Sequence, residues 1–382
     1  MTKPMPLDDF TRLPPVLTVE CVDGLAASID SVAARAAPSH RFLRYGWFAA
    51  ALQAYGGAAR TLTVAREGEP AAALPIVPMG PGWLRLATAP GCYWPFRSFP
   101  VRSDAGIEVA EALLARLGRE ANALRLGPVY DGDPALELLR EAATAKGWAV
   151  LDRFVAESFL LDIAASQADG GWPRNSTLRK NRFHEKHLGG HGELDWRFVS
   201  GADWDMAAFD ALAEIERKSW IAARTDGSDA KFTEEGHGGF WRAASADPVI
   251  AGMMWAAVLR VDGAPAAFSF DLNAGALKYA IANSYDPAFA KHSPGKLLYY
   301  RNLVRGIEDG ITTVDWGAGD SGYKRVIGAE RGPAIRDWLF VRPGLPALAG
   351  RMLRGMWRRS GHKQPSVTPA EVPGSTDPDA SS

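Results

Sequence analysis

Two stretches of the 382-residue chain set chemically capable residues at the ends of predicted strands. The first, Ser293-Pro294-Gly295-Lys296, joins a strand to a helix, with Pro and Gly where the chain turns and bares its backbone. Unpaired N–H groups at a helix start, the helix dipole and a lysine together favour a phosphate. The plainer alternative is that Ser293 caps the helix and Pro294 takes its favoured first position. The second stretch, Asp315-Trp316-Gly317-Ala318-Gly319-Asp320-Ser321-Gly322-Tyr323-Lys324, places a carboxylate, a phenol and an ammonium in a glycine-rich loop after a strand. Such loops often hold substrate-handling groups, although an ordinary surface loop is the alternative. The stretch also spells GxGxxG. Tyr-Lys-Arg-Val-Ile-Gly follows, however, and Gly328 and Gly332 oppose the helix that a dinucleotide fingerprint needs.

Other clusters suggest less. His184 and His187 share a helical face, but Gly189, Gly190 and Gly192 around His191 spoil a ligand geometry, and with no CxxC and no HExxH no metal is expected. Arg174, Arg179, Lys180, Arg182 and Lys186 against Glu185 alone read as a solvated helix face or, second, an anion patch. Pro346–Lys363 mixes Leu348, Met352, Leu353, Met356 and Trp357 with four arginines; it reads as a packed terminal helix, with a membrane-surface helix as the alternative. No GxSxG argues for hydrolysis.

Composition narrows the class. With 47% apolar residues the chain can bury full cores and is expected to hold two or three globular units, whereas a net charge of −1 gives no field for DNA. Cys21 and Cys92 suggest neither a zinc site nor a disulfide framework, and with no signal-peptide pattern at the N-terminus the expectation is a cytoplasmic protein. The longest apolar run, Val249–Leu259, is far short of the ~20 residues that span a bilayer.

The elements that position the two stretches occur in the same order twice. In the first half, a strand at Val16–Glu20 and helices over Leu25–Ala36 and Phe42–Tyr55 precede strands Thr61–Arg66 and Ala71–Val77 around Gly68. A strand at Trp83–Thr88, a helix from Ile107, a strand from Ala123, a helix from Ala135 and a strand near Phe154–Leu161 complete it. The second half runs from a basic helix, Ser176–His187, through a strand (Leu194–Val199) and helices within Met206–Ala223 and Gly239–Ala244. Strands Met254–Val261 and Ala264–Leu272 then flank Asp262-Gly263, a strong hairpin signal. A strand (Leu277–Ser284), a helix (Lys296–Asp309) and strands at Thr312–Trp316 and Arg336–Val341 close the order. Gly263 lies 195 positions after Gly68, so the expected fold is α/β (α+β), a tandem repeat whose units each hold a mixed, mainly antiparallel sheet flanked by helices. The expected division is a first unit over 1–162, a linker over 163–174, a second unit over 175–343, a basic helix over 344–363 and a disordered tail over 364–382.

The run from Leu194 to Lys324 resembles the CelD/BcsL-type acetyltransferases, a branch of the GNAT superfamily related to the FemABX peptidyltransferases. Its marks are Val261-Asp262-Gly263-Ala264-Pro265-Ala266-Ala267, Ser284-Tyr285-Asp286-Pro287, Ser293-Pro294-Gly295-Lys296-Leu297-Leu298, and Asp315-Trp316-Gly317-Ala318-Gly319 with Tyr323-Lys324. The resemblance implies two tandem GNAT-like units, the first degenerate. It also implies transfer of an acyl group from acetyl-CoA or another acyl-CoA to an amine or hydroxyl of a small or sugar-linked acceptor, such as an envelope polysaccharide precursor. Pantetheine would lie along Leu277–Ser284 and pyrophosphate on Ser293, Gly295 and Lys296, although of the usual Arg/Gln-x-x-Gly-x-Gly/Ala loop only Gly295 is present. Fem-type relatives use aminoacyl-tRNA, which is the alternative donor, and a catalytically silent binding protein is a further alternative. Attack on a thioester needs a base, an oxyanion donor and a proton for the thiolate. Asp315 is expected as base or amine-orienting group, Lys324 as electrostatic stabiliser of the oxyanion or of an acceptor anion, and Tyr285 as the acid, with a place in the core as its alternative. Trp220, Asp271 and Tyr323 are candidates for the acceptor pocket, with packing as the alternative for Trp220 and a solvent-facing position for Asp271.

Overall fold

The computed structural model describes residues 15–94, 96–168, 170, 172–219, 229–319, 324 and 327–362. In the first half the strands are β1 (Leu17–Asp23), β2 (Arg60–Arg66), β3 (Glu69–Met79), β4 (Leu86–Thr88), β5 (Ala123–Tyr130) and β6 (Ala149–Asp162). The second half supplies β7 (Leu194–Ser200), β8 (Met254–Val261), β9 (Ala264–Ala274), β10 (Leu277–Tyr285), β11 (Thr313–Ala318) and β12 (Glu330–Val341). Helices α1 (Ser28–Ala34) and α2 (Tyr45–Tyr55) precede β2, α3 (Ile107–Glu120) precedes β5 and α4 (Pro134–Ala145) precedes β6. Then come α5 (Ile163–Ala168), α6 (Asn175–Leu188), α7 (Met206–Lys218), α8 (Gly238–Ala244), α9 (Pro248–Met253), α10 (Pro294–Glu308) and α11 (Leu345–Arg359). Both expected hairpins form: Glu67 and Gly68, like Asp262 and Gly263, take the paired left-handed conformation of a two-residue turn.

All twelve strands join one sheet in the order β1-β2-β3-β4-β5-β12-β6-β11-β10-β9-β8-β7. The two halves therefore lie back to back with their last strands exchanged: β12 pairs with β5, and β6 pairs with β11. The neighbours are antiparallel except at β4–β5 and β10–β11, the two places where a helix crosses over between parallel strands. This is the mixed, mainly antiparallel sheet flanked by helices that the sequence predicts.

The segment expected as a linker carries α5, whose Ile163 is buried beside Leu161 and Val314. The apolar run Val249–Leu259 divides into α9 and β8, because the Asp247 carboxylate accepts the Val249 and Ile250 N–H groups (2.8 and 3.2 Å) and starts a helix at Pro248. The tail over 364–382 lies outside the described residues.

The largest core cluster crosses the halves. Trp47 of α2 meets Phe240 and Trp241 of α8 edge-on at 4.8 and 5.9 Å, and Phe96 packs on Tyr279 of β10 at 4.8 Å. A shared core and exchanged strands predict one cooperative unit. Truncating the fully buried Phe340 of β12 to alanine is expected to cost about 3–5 kcal/mol and to leave a single calorimetric transition. Two resolved transitions would show that the halves unfold separately.

Candidate active site

The ladder between β10 and β11 contains only Leu277–Thr313, Lys278–Val314 and Tyr279–Asp315. Beyond Tyr279, β10 stays paired with β9 through a bulge between Ala280 and Ala282, while β11 turns its own bulge toward β6 after Asp315. The two parallel strands thus part at Asp315, and the edge of β10 from Ala280 onward carries no ladder partner on that side among the described residues. At the corresponding place in the first half the chain fills the gap. Ala89 N–H donates to the Arg125 carbonyl, Gly127 N–H to the Arg97 carbonyl and Arg97 N–H to the Pro128 carbonyl, tying the segment after β4 to β5. Among the described residues only the second half keeps an open divergence.

Asp315 is 2% exposed at the vertex. Its Oδ1 accepts the Gly317 N–H at 2.7 Å. Burial pushes the carboxyl up to about 6, against the opposing pull of the Gly317 N–H, the Tyr130 hydroxyl and the Lys324 ammonium. The Tyr130 hydroxyl, brought from the end of β5, faces this carboxylate without closing a hydrogen bond of good geometry. Burial and the Asp315 charge hold Tyr130 and Tyr279 well above the usual phenol range, so both stay protonated. Trp94 lies 5.1 Å from the Tyr279 ring and beside Gly317. The first half therefore walls a carboxylate that the second half supplies.

A hydrogen-bonded chain supports this wall. Tyr279 donates to the Ser39 carbonyl (3.4 Å), the Ser39 hydroxyl meets His40 Nδ1 (2.8 Å), and His40 Nε2 meets Asp133 (2.8 Å). Asp133 also accepts the Ser98 hydroxyl and the Leu136 N–H, capping α4, so its carboxylate is spent on anchoring.

The other sequence candidates fall in three places. Lys324 is buried with Nζ donating to the carbonyls of Gly317 (3.1 Å) and Ala318 (3.0 Å), which fastens the loop after β11. Ser293, Gly295 and Lys296 form the start of α10, with Lys296 exposed. A Cβ on Gly295 would stand 3.0 Å from Asn283 Oδ1 and 3.3 Å from the Tyr285 ring, so glycine lets this helix start pack closely on the side chains of β10. Tyr285 packs there, six residues past the vertex and about 20 Å along the strand, rather than beside Asp315. Asp271 does not face solvent: it is fully buried, paired with Lys278 (3.1 Å) and bonded by Asn302 (2.6 Å). Trp220 and Tyr323 lie outside the described residues. Among the described residues no group of His, Cys, Asp and Glu could hold a metal, and His191 faces His292 at 2.9 Å.

Residues 175–325 match the acetyltransferase (GNAT) domain family. That stretch contains β7–β11, the divergence and Asp315. The matched stretch ends at the loop fastened by Lys324, and β12 and α11 follow it. No curated protein matches the sequence. Among solved structures the chain is similar to FemX, at a TM-score of 0.57 and 13% identity over 88% of this chain and 100% of FemX. It is also similar to a conserved protein of unknown function from Bacteroides thetaiotaomicron, at 0.53 and 14% identity over 85% and 100%. A third is the C-terminal domain of a putative lysylphosphatidylglycerol synthetase from Agrobacterium fabrum, at 0.50 and 15% over 85% and 94%. At these identities the likeness is one of fold, and it extends beyond residues 175–325 to the first half.

Two predictions follow from burial alone. Lys278→Ala leaves the Asp271 charge buried without its cation and is expected to destabilise the fold by about 3–5 kcal/mol in urea titration. Asp315→Asn is expected to stabilise it. The folded-state value of about 6 lies above the ordinary 3.8, so the native protein loses stability as pH rises from about 4 to 6 and stays at the lower level above that. The asparagine variant lacks this loss, so its advantage should grow over that window toward an upper limit on the order of 3 kcal/mol. An advantage independent of pH would contradict the assignment.

Proposed function

We propose that the protein transfers an acetyl or other acyl group from an acyl-CoA to an amine or hydroxyl of a small or sugar-linked acceptor, with an envelope polysaccharide precursor as one acceptor of that kind. The observation that carries this reading is the divergence of β10 and β11 with a buried carboxylate, raised to about 6, at its vertex and a helix start at its open end. The unpaired β10 edge suits the amide-bearing arm of a coenzyme A, and the Gly295 approach gives pyrophosphate a backbone N–H with Lys296 alongside.

When bound, the acyl-CoA supplies a thioester carbonyl for attack and a thiolate that must be protonated. Asp315, near neutrality at about 6, accepts the proton that the attacking nitrogen or oxygen gives up as the new carbon–heteroatom bond forms and the carbon–sulfur bond breaks. The protonated Tyr130 hydroxyl gives its proton to the departing sulfur and recovers one from Asp315, so the proton balance closes within the pair. Lys324 acts through Asp315 and the Gly317–Ala318 carbonyls as a positioning residue. The aromatic wall of Trp94, Tyr130 and Tyr279 excludes water and suits the apolar face of a sugar ring or an acyl chain.

Calorimetric titration with acetyl-CoA tests the donor. Micromolar binding is expected, weakened on the order of fivefold by Lys296→Ala, as befits one partly exposed charge pair. No binding, together with transfer that requires charged tRNA and is lost on ribonuclease treatment, would replace it with the aminoacyl-tRNA reading. With an acceptor in hand, Asp315→Asn is expected to lower kcat by ~10²–10⁴. The wild-type rate should fall as pH drops through about 6, because the base is then protonated. A rate flat from pH 5 to 8 would remove Asp315 from the proton transfer.

A further inference from the structure

The terminal helix is docked by a narrow seam. Ala347, Gly350 and Trp357 face the sheet: Gly350 sits against Val341 and Leu151, and the Trp357 ring lies 4.3 Å from the Arg153 guanidinium. The opposite stripe, Leu345, Leu348, Met352 and Met356, follows helical spacing and stands in solvent, Leu345 at 82% and Met352 at 79% exposure, with Leu353 beside it. Leu345–Arg359 contains Arg351, Arg354, Arg358 and Arg359 and no acidic residue.

A second exposed anchor stands at the same edge of the fold. Trp83, 80% exposed, sits in the turn Gly82–Leu84 between β3 and β4. Asn122 ties that turn to the entry of α11, its side chain donating to the Leu84 carbonyl and its own carbonyl accepting the Arg342 N–H, both at 3.0 Å. Leu86, just beyond the turn, packs in one cluster with Ala347 and Trp357.

We propose that α11, with Trp83 at its flank, docks on an anionic phospholipid surface. Arg354 and Arg358 turn back to the Val150 carbonyl and Asp152, which leaves Arg351 and Arg359 exposed with the Leu and Met stripe; such a surface is complementary to a negative, fluid, apolar boundary, and an exposed Trp is the side chain that settles at headgroup depth. A second copy of the chain would set the same arginines against each other. No helix of the described residues is long and apolar enough to cross a membrane, so the contact is one of surface. Through it the protein would meet acceptors presented at a bilayer, although the surface itself is argued independently of the acyl-transfer reading.

The test reads partition rather than turnover, so it succeeds or fails apart from that reading. The full chain is sedimented with phosphatidylcholine vesicles and with vesicles in which a third of the lipid is phosphatidylglycerol. Binding is expected to the second kind, falling several-fold as salt rises from about 0.1 to about 0.5 M. Met352→Glu/Met356→Glu, compared at a melting temperature equal to wild type, is expected to lower the partition coefficient at least tenfold. Arg351→Gln/Arg359→Gln should lose the preference for the anionic vesicles, and Trp83→Ala should weaken binding about threefold. Equal binding by wild type and the Met352→Glu/Met356→Glu protein, or no preference for anionic lipid, overturns the proposal. So does a concentration-dependent dimer that the same double variant disperses, which would give the face to a second copy.

Discussion

Reciprocal exchange of β6 and β12 is the constraint on which the remaining geometry depends. Because β6 pairs with β11, the strand that carries Asp315 is fixed on one side by the first half, from Asp162–Thr313 to Ser158–Ala318. Because β12 pairs with β5, the end of β5 and its Tyr130 are fixed by the second half, through Ile335. A carboxylate from one half and a phenol from the other are thereby held face to face, with neither half able to shift alone. The buried Asp337, gripped by Arg125 of β5 and Arg153 of β6 at 2.8 and 2.6 Å, clamps the same three strands near their middle.

With that frame fixed, the site follows from where strand pairing stops. Parallel strands joined by a helical crossover can separate without loss only if each keeps its other neighbour, and β10 keeps β9 while β11 keeps β6. The divergence leaves backbone groups of β10 facing a gap, and buried polar backbone wants partners. In the first half the chain itself supplies them, through Ala89 and Arg97; in the second, among the described residues, the gap stays open toward α10. One repeat has become a wall and the other carries the candidate site.

The frame was largely legible in the sequence, because apolar periodicity and the two glycine turns report local structure directly. Strand β8, Met254–Val261, has the bounds expected ahead of the Asp262-Gly263 turn, and Lys324 is brought to the loop that follows Asp315. Three things were not legible. The exchange of last strands is a long-range pairing that leaves no mark on local pattern. Tyr130 and Trp94 belong to the opposite half and look like ordinary strand and loop aromatics until the sheet is assembled. Asp271 and Tyr285 sit in the right motifs, yet side-chain direction along β9 and distance along β10 send the first into an ion pair with Lys278 and the second to the far end of the divergence. The Asp247-Pro248 pair was the available signal for α9, a capping carboxylate ahead of a proline at the first helical position.

The central claim is that the divergence of β10 and β11 in the second half receives the acyl donor. Hydrogen–deuterium exchange of the full chain with and without acetyl-CoA reads this directly, since each backbone amide reports its own protection. The account predicts slowed exchange concentrated on Ala280–Tyr285 and on the first turn of α10, with the equivalent first-half segment Ala89–Leu126 unchanged. Protection absent from Ala280–Tyr285 at saturating acetyl-CoA, or confined to the first half, would contradict it.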